Sequence, residues 1–136
     1  MTILSSDTQT RIIVSLTSDS AGEELIHAVE GLSFPPTVPT TNSGANAIVD
    51  YSKANNLNLI LTNNSTVVFS NPLAGNVYIL KLIQDATGSR TVTWPLNVKW
   101  NGGTVPTLST APGSIDIASF YYDGVDYFGT IGLGYA

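Results

Sequence analysis

His27 is the only histidine in the chain, so it is the first residue to test for proton transfer or nucleophile activation. It sits in a run with helical spacing, and no Ser or Cys in a nucleophile motif accompanies it, so a triad lacks its partners and His27 reads as a partly exposed helix residue. Two carboxylate pairs come next, because paired acids can cleave glycosidic bonds. Glu23 and Glu24 are adjacent, and on a helix their side chains diverge by roughly 100°. Asp123 and Asp126 flank a turn, where they could hold calcium or sugar hydroxyls; an Asp before Gly124 ordinarily satisfies backbone donors instead. Gly129-Thr-Ile-Gly132-Leu-Gly134 lacks the spacing of a dinucleotide fingerprint and has no helix after it, and Gly88-Ser-Arg-Thr lacks a Walker lysine. With no cysteine there is no thiolate site and no disulfide. These residues predict a protein that is not an enzyme, with no catalytic residue, no cofactor and no bound metal.

The remaining candidates for recognition are aromatic. Trp94, Trp100, Phe120, Tyr121, Tyr122, Tyr127, Phe128 and Tyr135 crowd the last third of the chain, and Tyr and Trp serve both protein interfaces and sugar-stacking platforms. Most are expected in a core. In the alternating runs FYYD and DYF, either Tyr121 or the pair Phe120 and Tyr122 must face outward.

The elements that position these residues follow from periodicity. TRIIVSLT (10–17) is a β-branched apolar run suited to a strand or an extended arm, with Arg11 at its edge beside Ile12 and Ile13. Ser20-Ala-Gly-Glu23 matches a capping box, and Leu25, Ile26, Val29 and Leu32 then recur at helical spacing, which predicts a short amphipathic helix that must dock on something. Residues 1–33 thus form an arm and helix. Residues 34–46, with Pro35, Pro36 and Pro39, read as an extended linker or a long surface loop.

From 47 to 136, apolar runs alternate with turn signals: 47–52, 57–62, 66–70, 76–85, 90–94, 114–123 and 125–131, separated by Asn55-Asn56, Asn63-Asn64, Asn71-Pro72, Thr87-Gly88-Ser89, Asn101-Gly102-Gly103, Pro112-Gly113 and Asp123-Gly124. Seven short strands at this spacing predict an all-β domain, an antiparallel β-sandwich or barrel. Asp123-Gly124 is the strongest hairpin signal. In NVYILKLIQD, alternation puts Val77, Ile79 and Ile83 on one face and Tyr78, Leu80 and Leu82 on the other. A strand apolar on both faces is covered on its outer side, by the predicted helix or by a neighbouring subunit.

Charge narrows the partners. Charged residues make up 11% of the 136, less than half the roughly 25% usual for a soluble domain. Either neighbouring subunits cover much of the surface, or the surface is polar without being ionic. A net charge of −5 and no Lys/Arg cluster argue against nucleic acid. No apolar run reaches the roughly 20 residues that span a bilayer, and MTILSSDTQTR lacks the basic start of a signal peptide, so no membrane is expected.

QDATGSRTVTWP (84–95), KWNGGTVPTLST (99–110) and SFYYDGVDYFG (119–129) together resemble the C-terminal β-module of tailed-bacteriophage structural proteins, which occurs at fibre tips and in small standalone virion proteins; TRIIVSLTSDSAGEELIHAVEG (10–31) is similar to the N-terminus of the standalone type. The resemblance implies a virion protein, commonly a homotrimer, partnered with itself and with major capsid protein or other virion proteins. Two functions follow as expectations. The first is a capsid decoration protein whose arm and helix, through Arg11, Ile12, Ile13, Leu25, Ile26 and Val29, clasp neighbouring subunits and stabilise the shell by mass action. The second is a tail or tail-fibre module that binds a host surface glycan through Trp100, Tyr121, Tyr122 and Tyr127.

Overall fold

The structure is a computed structural model that describes residues 38–135. The arm and helix calls, with Arg11, Ile12, Ile13, Leu25, Ile26, His27 and Val29, lie outside the described residues. Nine strands follow in order: β1 (Thr40–Asn42), β2 (Asn46–Asp50), β3 (Asn56–Leu61), β4 (Ser65–Ser70), β5 (Val77–Gln84), β6 (Val92–Thr93), β7 (Val98–Trp100), β8 (Ile115–Tyr122) and β9 (Tyr127–Tyr135). A larger sheet has the order β1-β3-β5-β8-β9-β7 and a smaller one the order β2-β4-β6. The domain is all-β and the two sheets pack as a sandwich, as the strand runs predict.

The strand directions depart from the antiparallel expectation. β1, β3 and β5 are parallel neighbours in the larger sheet, and β2, β4 and β6 are parallel neighbours in the smaller one. Up to β6 the chain therefore winds as a coil, laying one strand in each sheet per turn. Only β5–β8 and β8–β9 pair antiparallel, and β7 runs parallel to β9. The reason is geometric. Turns such as Asn63-Asn64 carry the chain across to the opposing sheet instead of reversing it within one sheet, so the in-plane neighbour of each strand is the strand two before it. Alternation along a strand has period two in either arrangement and does not distinguish them.

Two strands escape the periodicity reading. β1 and the first residue of β2 fall within residues 34–46: Thr40, Thr41 and Asn42 pair with Asn58, Leu59 and Ile60. Their threonines and asparagine carry no apolar alternation. β7 is three residues long, too short for a pattern.

The inner faces are apolar. Leu57, Leu59 and Leu61 of β3, Tyr78, Leu80 and Leu82 of β5 and Phe120 of β8 meet Ala47 and Val49 of β2 and Val67 of β4. Burying each such leucine contributes on the order of 2 kcal/mol. Phe69, Trp94, Trp100, Phe120 and Tyr127 extend this core as edge-on and tilted pairs, with Phe69–Tyr127 centroids 4.7 Å apart and Trp94–Trp100 5.1 Å apart, a geometry that aromatic quadrupoles favour. Gly129 makes room for the cluster: a Cβ there would stand 3.0 Å from both Phe120 and Trp100.

Buried polar groups are tied into the chain turns. The Gln84 amide donates to the carbonyls of Arg90 and Ser109 (2.9 and 3.0 Å) and accepts from the Arg90 N–H (2.9 Å). Asp85 receives the Arg90 guanidinium on both oxygens and the N–H groups of Thr87 and Gly88, and the Arg90 contact in particular holds its carboxyl below the usual range. At Gly88, φ is +73° and a Cβ would come within 2.6 Å of the Thr110 carbonyl. The segment 84–95 is thus an ordered crossing between the sheets.

Both outer faces are mixed. Across the larger sheet the pairing aligns Asn58, Lys81, Ile117 and Gly132 in one row, Ile60, Ile83, Ile115 and Tyr135 in another, Val77, Tyr121, Phe128 and Lys99 in a third, and Asn56, Ile79, Ser119 and Thr130 in a fourth. The smaller sheet turns Asn46, Ile48, Asp50, Thr66, Val68, Ser70 and Thr93 outward, a polar mixture.

Candidate ligand groove

β6 is the element that shapes the site. Only Ser65 and Thr66 of β4 pair with it, through Val92 and Thr93. Beyond Thr93 the chain turns away at Trp94-Pro95, where proline has no N–H to continue a ladder. The rest of β4, Val67–Ser70, is therefore left without a strand on that side. The space so opened is a groove of about 530 Å³ whose wall includes Phe69, Trp94, Tyr122 and Tyr127, rimmed by Pro72, Pro95 and Leu96.

Among the described residues no charged side chain lines it. The rings of Tyr122 and Tyr127 lie with centroids 4.5 Å apart and planes inclined by 31°, and burial, followed by the neighbouring Tyr122 and Tyr78, pushes the Tyr127 hydroxyl up to about 12. It stays neutral at any physiological pH. The polar groups at the rim are already half engaged: the Asn97 side-chain amide donates to the Val125 carbonyl (2.8 Å) and its backbone carbonyl accepts the Tyr127 N–H (2.9 Å), which leaves the side-chain Oδ1 to accept, and the Tyr122 hydroxyl donates to the Gly124 carbonyl (2.9 Å), which leaves its lone pairs. Such a surface suits an uncharged ligand with one apolar face and hydroxyls around its edge.

Leu96 stands 99% exposed on the loop between this groove and a second recess of about 380 Å³, which shares Trp94 and Pro95 with the first and adds Trp100 and Val105. Trp100 is 9% exposed, and its Nε1 is buried with no hydrogen-bond partner.

The four aromatics expected to share a binding surface do not share one. Tyr127 is 3% exposed and forms part of the groove wall, with Tyr122 stacked on it. Trp100 is a core residue that lines the second recess and a smaller one beside Gly129, but not the groove. Tyr121, at 45%, is on the outer face of the larger sheet, pointing away from both. Period-two alternation separates Tyr121 from Tyr122, and the same rule puts Phe120 in the core. Trp94 was among the aromatic candidates but was not assigned to the binding surface, and Phe69 and Leu96 are what sequence reasoning missed; the available signal was Trp94-Pro95 cutting a strand short.

The Asp123 pair resolves as a turn. Asp123 Oδ1 accepts the N–H groups of Val125 and Asp126, both at 2.8 Å, and these bonds hold its carboxyl below the usual range. Among the described residues no three His, Cys, Asp or Glu side chains gather as a metal site, and no helix is long and apolar enough to cross a membrane.

Residues 40–127, well over half of the chain, match the family described as "Putative phage tail fibre C-terminal domain". The match begins at the first residue of β1 and ends at the first residue of β9. The chain belongs to this family and is a phage virion structural protein of the tail-fibre type. Of the two virion expectations the match fits the tail-module one better, and the capsid-decoration reading has no support from it. No curated protein and no solved structure matches the chain.

Proposed function

We propose that the domain is the recognition end of a tail fibre and that the groove beside β4 takes an uncharged saccharide of the host surface. The observation that carries this reading is the groove itself: an open, uncharged trough with Trp94, Phe69 and the Tyr122–Tyr127 pair in its wall, at the point where a β-strand is missing. Sugar rings present C–H faces that stack on aromatic rings, and their hydroxyls find acceptors such as the Asn97 side-chain Oδ1.

The test is a glycan array with the purified chain, followed by titration calorimetry on the best neutral glycan. Tyr122→Ala, at a half-buried position on the groove wall, is expected to lower affinity at least tenfold. Tyr121→Ala, on the opposite face, is expected to leave it unchanged. No binding to any neutral glycan, or equal loss in both variants, would overturn the reading.

A further inference from the structure

The groove has a neighbour that a single bound sugar leaves unused. Across the loop 94–97 lies the recess of about 380 Å³, walled by Trp100 and Val105, and it shares Trp94, Pro95 and Leu96 with the groove. Among the described residues neither space has a charged side chain in its wall. Leu96, 99% exposed, is the ridge between them, and Val105, 58% exposed, stands at the outer wall of the recess.

Two observations mark the recess as a place for a ligand. The first is aromatic. Trp94 and Trp100 meet edge-on, with centroids 5.1 Å apart and planes inclined by 72°, so the two indoles form an apolar corner of the kind that the C–H face of a sugar ring packs against. The second is polar. Trp100 Nε1 is buried and has no hydrogen-bond partner among the described residues, and an indole N–H can only donate. Cζ3 of the same ring is the atom that a Cβ at Gly129 would meet, and Cζ3 and Nε1 lie on opposite edges of an indole. The donor is therefore turned away from Gly129 and the smaller recess beside it, which leaves the recess shared with Trp94 as the space that can bring it an acceptor.

We propose that this recess is a second subsite and that the ligand is a neutral oligosaccharide lying across Leu96, with one unit against the groove wall and a further unit in the corner of Trp94 and Trp100, where one of its oxygens accepts the Trp100 N–H. The second subsite rests on the saccharide reading of the groove and narrows the ligand from a single terminal sugar to a chain. At about 530 and 380 Å³, each space alone falls within the roughly 300–1,000 Å³ usual for small-ligand sites, so each has room for a unit of its own.

The experiment is titration calorimetry of the full chain with one-, two-, three- and four-unit fragments of the neutral glycan that binds best on the array. The wild type is expected to bind the longest fragment at least about tenfold more tightly than the single unit, the increment of an added aromatic contact and hydrogen bond. Val105→Glu, at an exposed position in the recess wall, is expected to bind the single unit as the wild type does and to lose the gain with length. Trp100→Phe, which keeps a ring and has no N–H, is expected to lose most of that gain with an unchanged far-ultraviolet spectrum; if it fails to fold, Val105→Glu carries the test. A flat length series, or a folded variant of either kind that keeps the gain, would overturn the second subsite and leave the groove reading in place. No binding of any fragment would overturn both.

Discussion

The ring of Tyr51 lies stacked on the ring of Tyr78 with centroids 4.0 Å apart and planes inclined by 23°. Tyr51 follows β2 of the smaller sheet and Tyr78 belongs to β5 of the larger, so the stack joins the two layers. The Tyr78 hydroxyl accepts the N–H of Leu73 (2.7 Å), whereas the Tyr51 hydroxyl is buried and has no partner among the described residues. A buried hydroxyl left unpaired costs about 1–3 kcal/mol. Tyr51→Phe keeps the stack and removes that cost. Its expected effect is a gain of about 1 kcal/mol, read as a melting temperature higher by roughly 4–8 °C for a domain of about 100 residues. A drop in melting temperature would mean that the hydroxyl has a partner in solution.

The same burial sets an alkaline limit. Tyr127 is pushed up to about 12, and burial raises Tyr51 further still, while tyrosines in the unfolded chain titrate near 10. Between these values the unfolded chain releases protons that the native chain holds, so stability present below pH 10 is lost as pH rises from about 10 towards 12. Denaturant melts at pH 8, 10 and 11 should show falling midpoints. Tyrosinate absorbance should appear with unfolding for Tyr51 and Tyr127, not before it.

Asp116 is 3% exposed, and its two oxygens are used separately: Oδ2 accepts the Ser109 N–H at 2.8 Å and Oδ1 the Gly134 N–H at 2.9 Å. An amide cannot copy this, because its nitrogen would meet an N–H. Asp116→Asn is therefore expected to cost about 2 kcal/mol, measurable by urea denaturation. A cost below half of that would show that the loop at Ser109 rearranges freely.

Much of this was legible in residue order and some was not, and the dividing line is physical. Alternation along NVYILKLIQD put Tyr78, Leu80 and Leu82 together on one face, since burial acts on every second residue whatever the pairing, but with both faces apolar it did not say which one is inward; the structure buries that set. The Asp123 turn was legible because the signal is local: its own carboxylate closes it. The parallel coil was not, because Asn63-Asn64 looks the same whether a turn reverses the chain within a sheet or carries it to the other sheet. The groove was hidden for a related reason. Phe69, Trp94 and Tyr127 are far apart in sequence, and only the register of β4 on β6 shows that a strand ends early and opens the space between them.

Gly129 and Gly88 test the packing from two sides. At Gly129 an added methyl meets Phe120 and Trp100 at 3.0 Å, in the aromatic core beneath the groove. Gly129→Ala should cost about 1–3 kcal/mol by overpacking. At Gly88 the methyl meets backbone at 2.6 Å and φ is +73°, so neither rotation nor a neighbour's movement relieves it. Gly88→Ala should therefore be the more damaging of the two in a paired thermal melt, and the reverse order would mean that the crossing at 84–95 yields more easily than the core.

Acid should weaken the domain through carboxylates at its turns. Asp50 is drawn down to about 2, chiefly by the Asn71 amide (3.0 Å) and then by the hydroxyl and N–H of Ser52 (2.6 and 3.0 Å). In the unfolded chain it titrates near 4. The native form thus holds its proton less tightly than the unfolded one, so the contribution is complete above about pH 4 and disappears as pH falls from about 4 to about 2. Asp50→Asn removes this dependence, because an amide does not titrate. Melting curves at pH 6 and pH 2.5 should show a smaller acid-induced drop in Asp50→Asn than in the wild type. Asp85 and Asp123, both also held below the usual range, contribute to the drop that remains. An equal drop in the two proteins would mean that the Asn71 and Ser52 contacts to Asp50 are absent in solution.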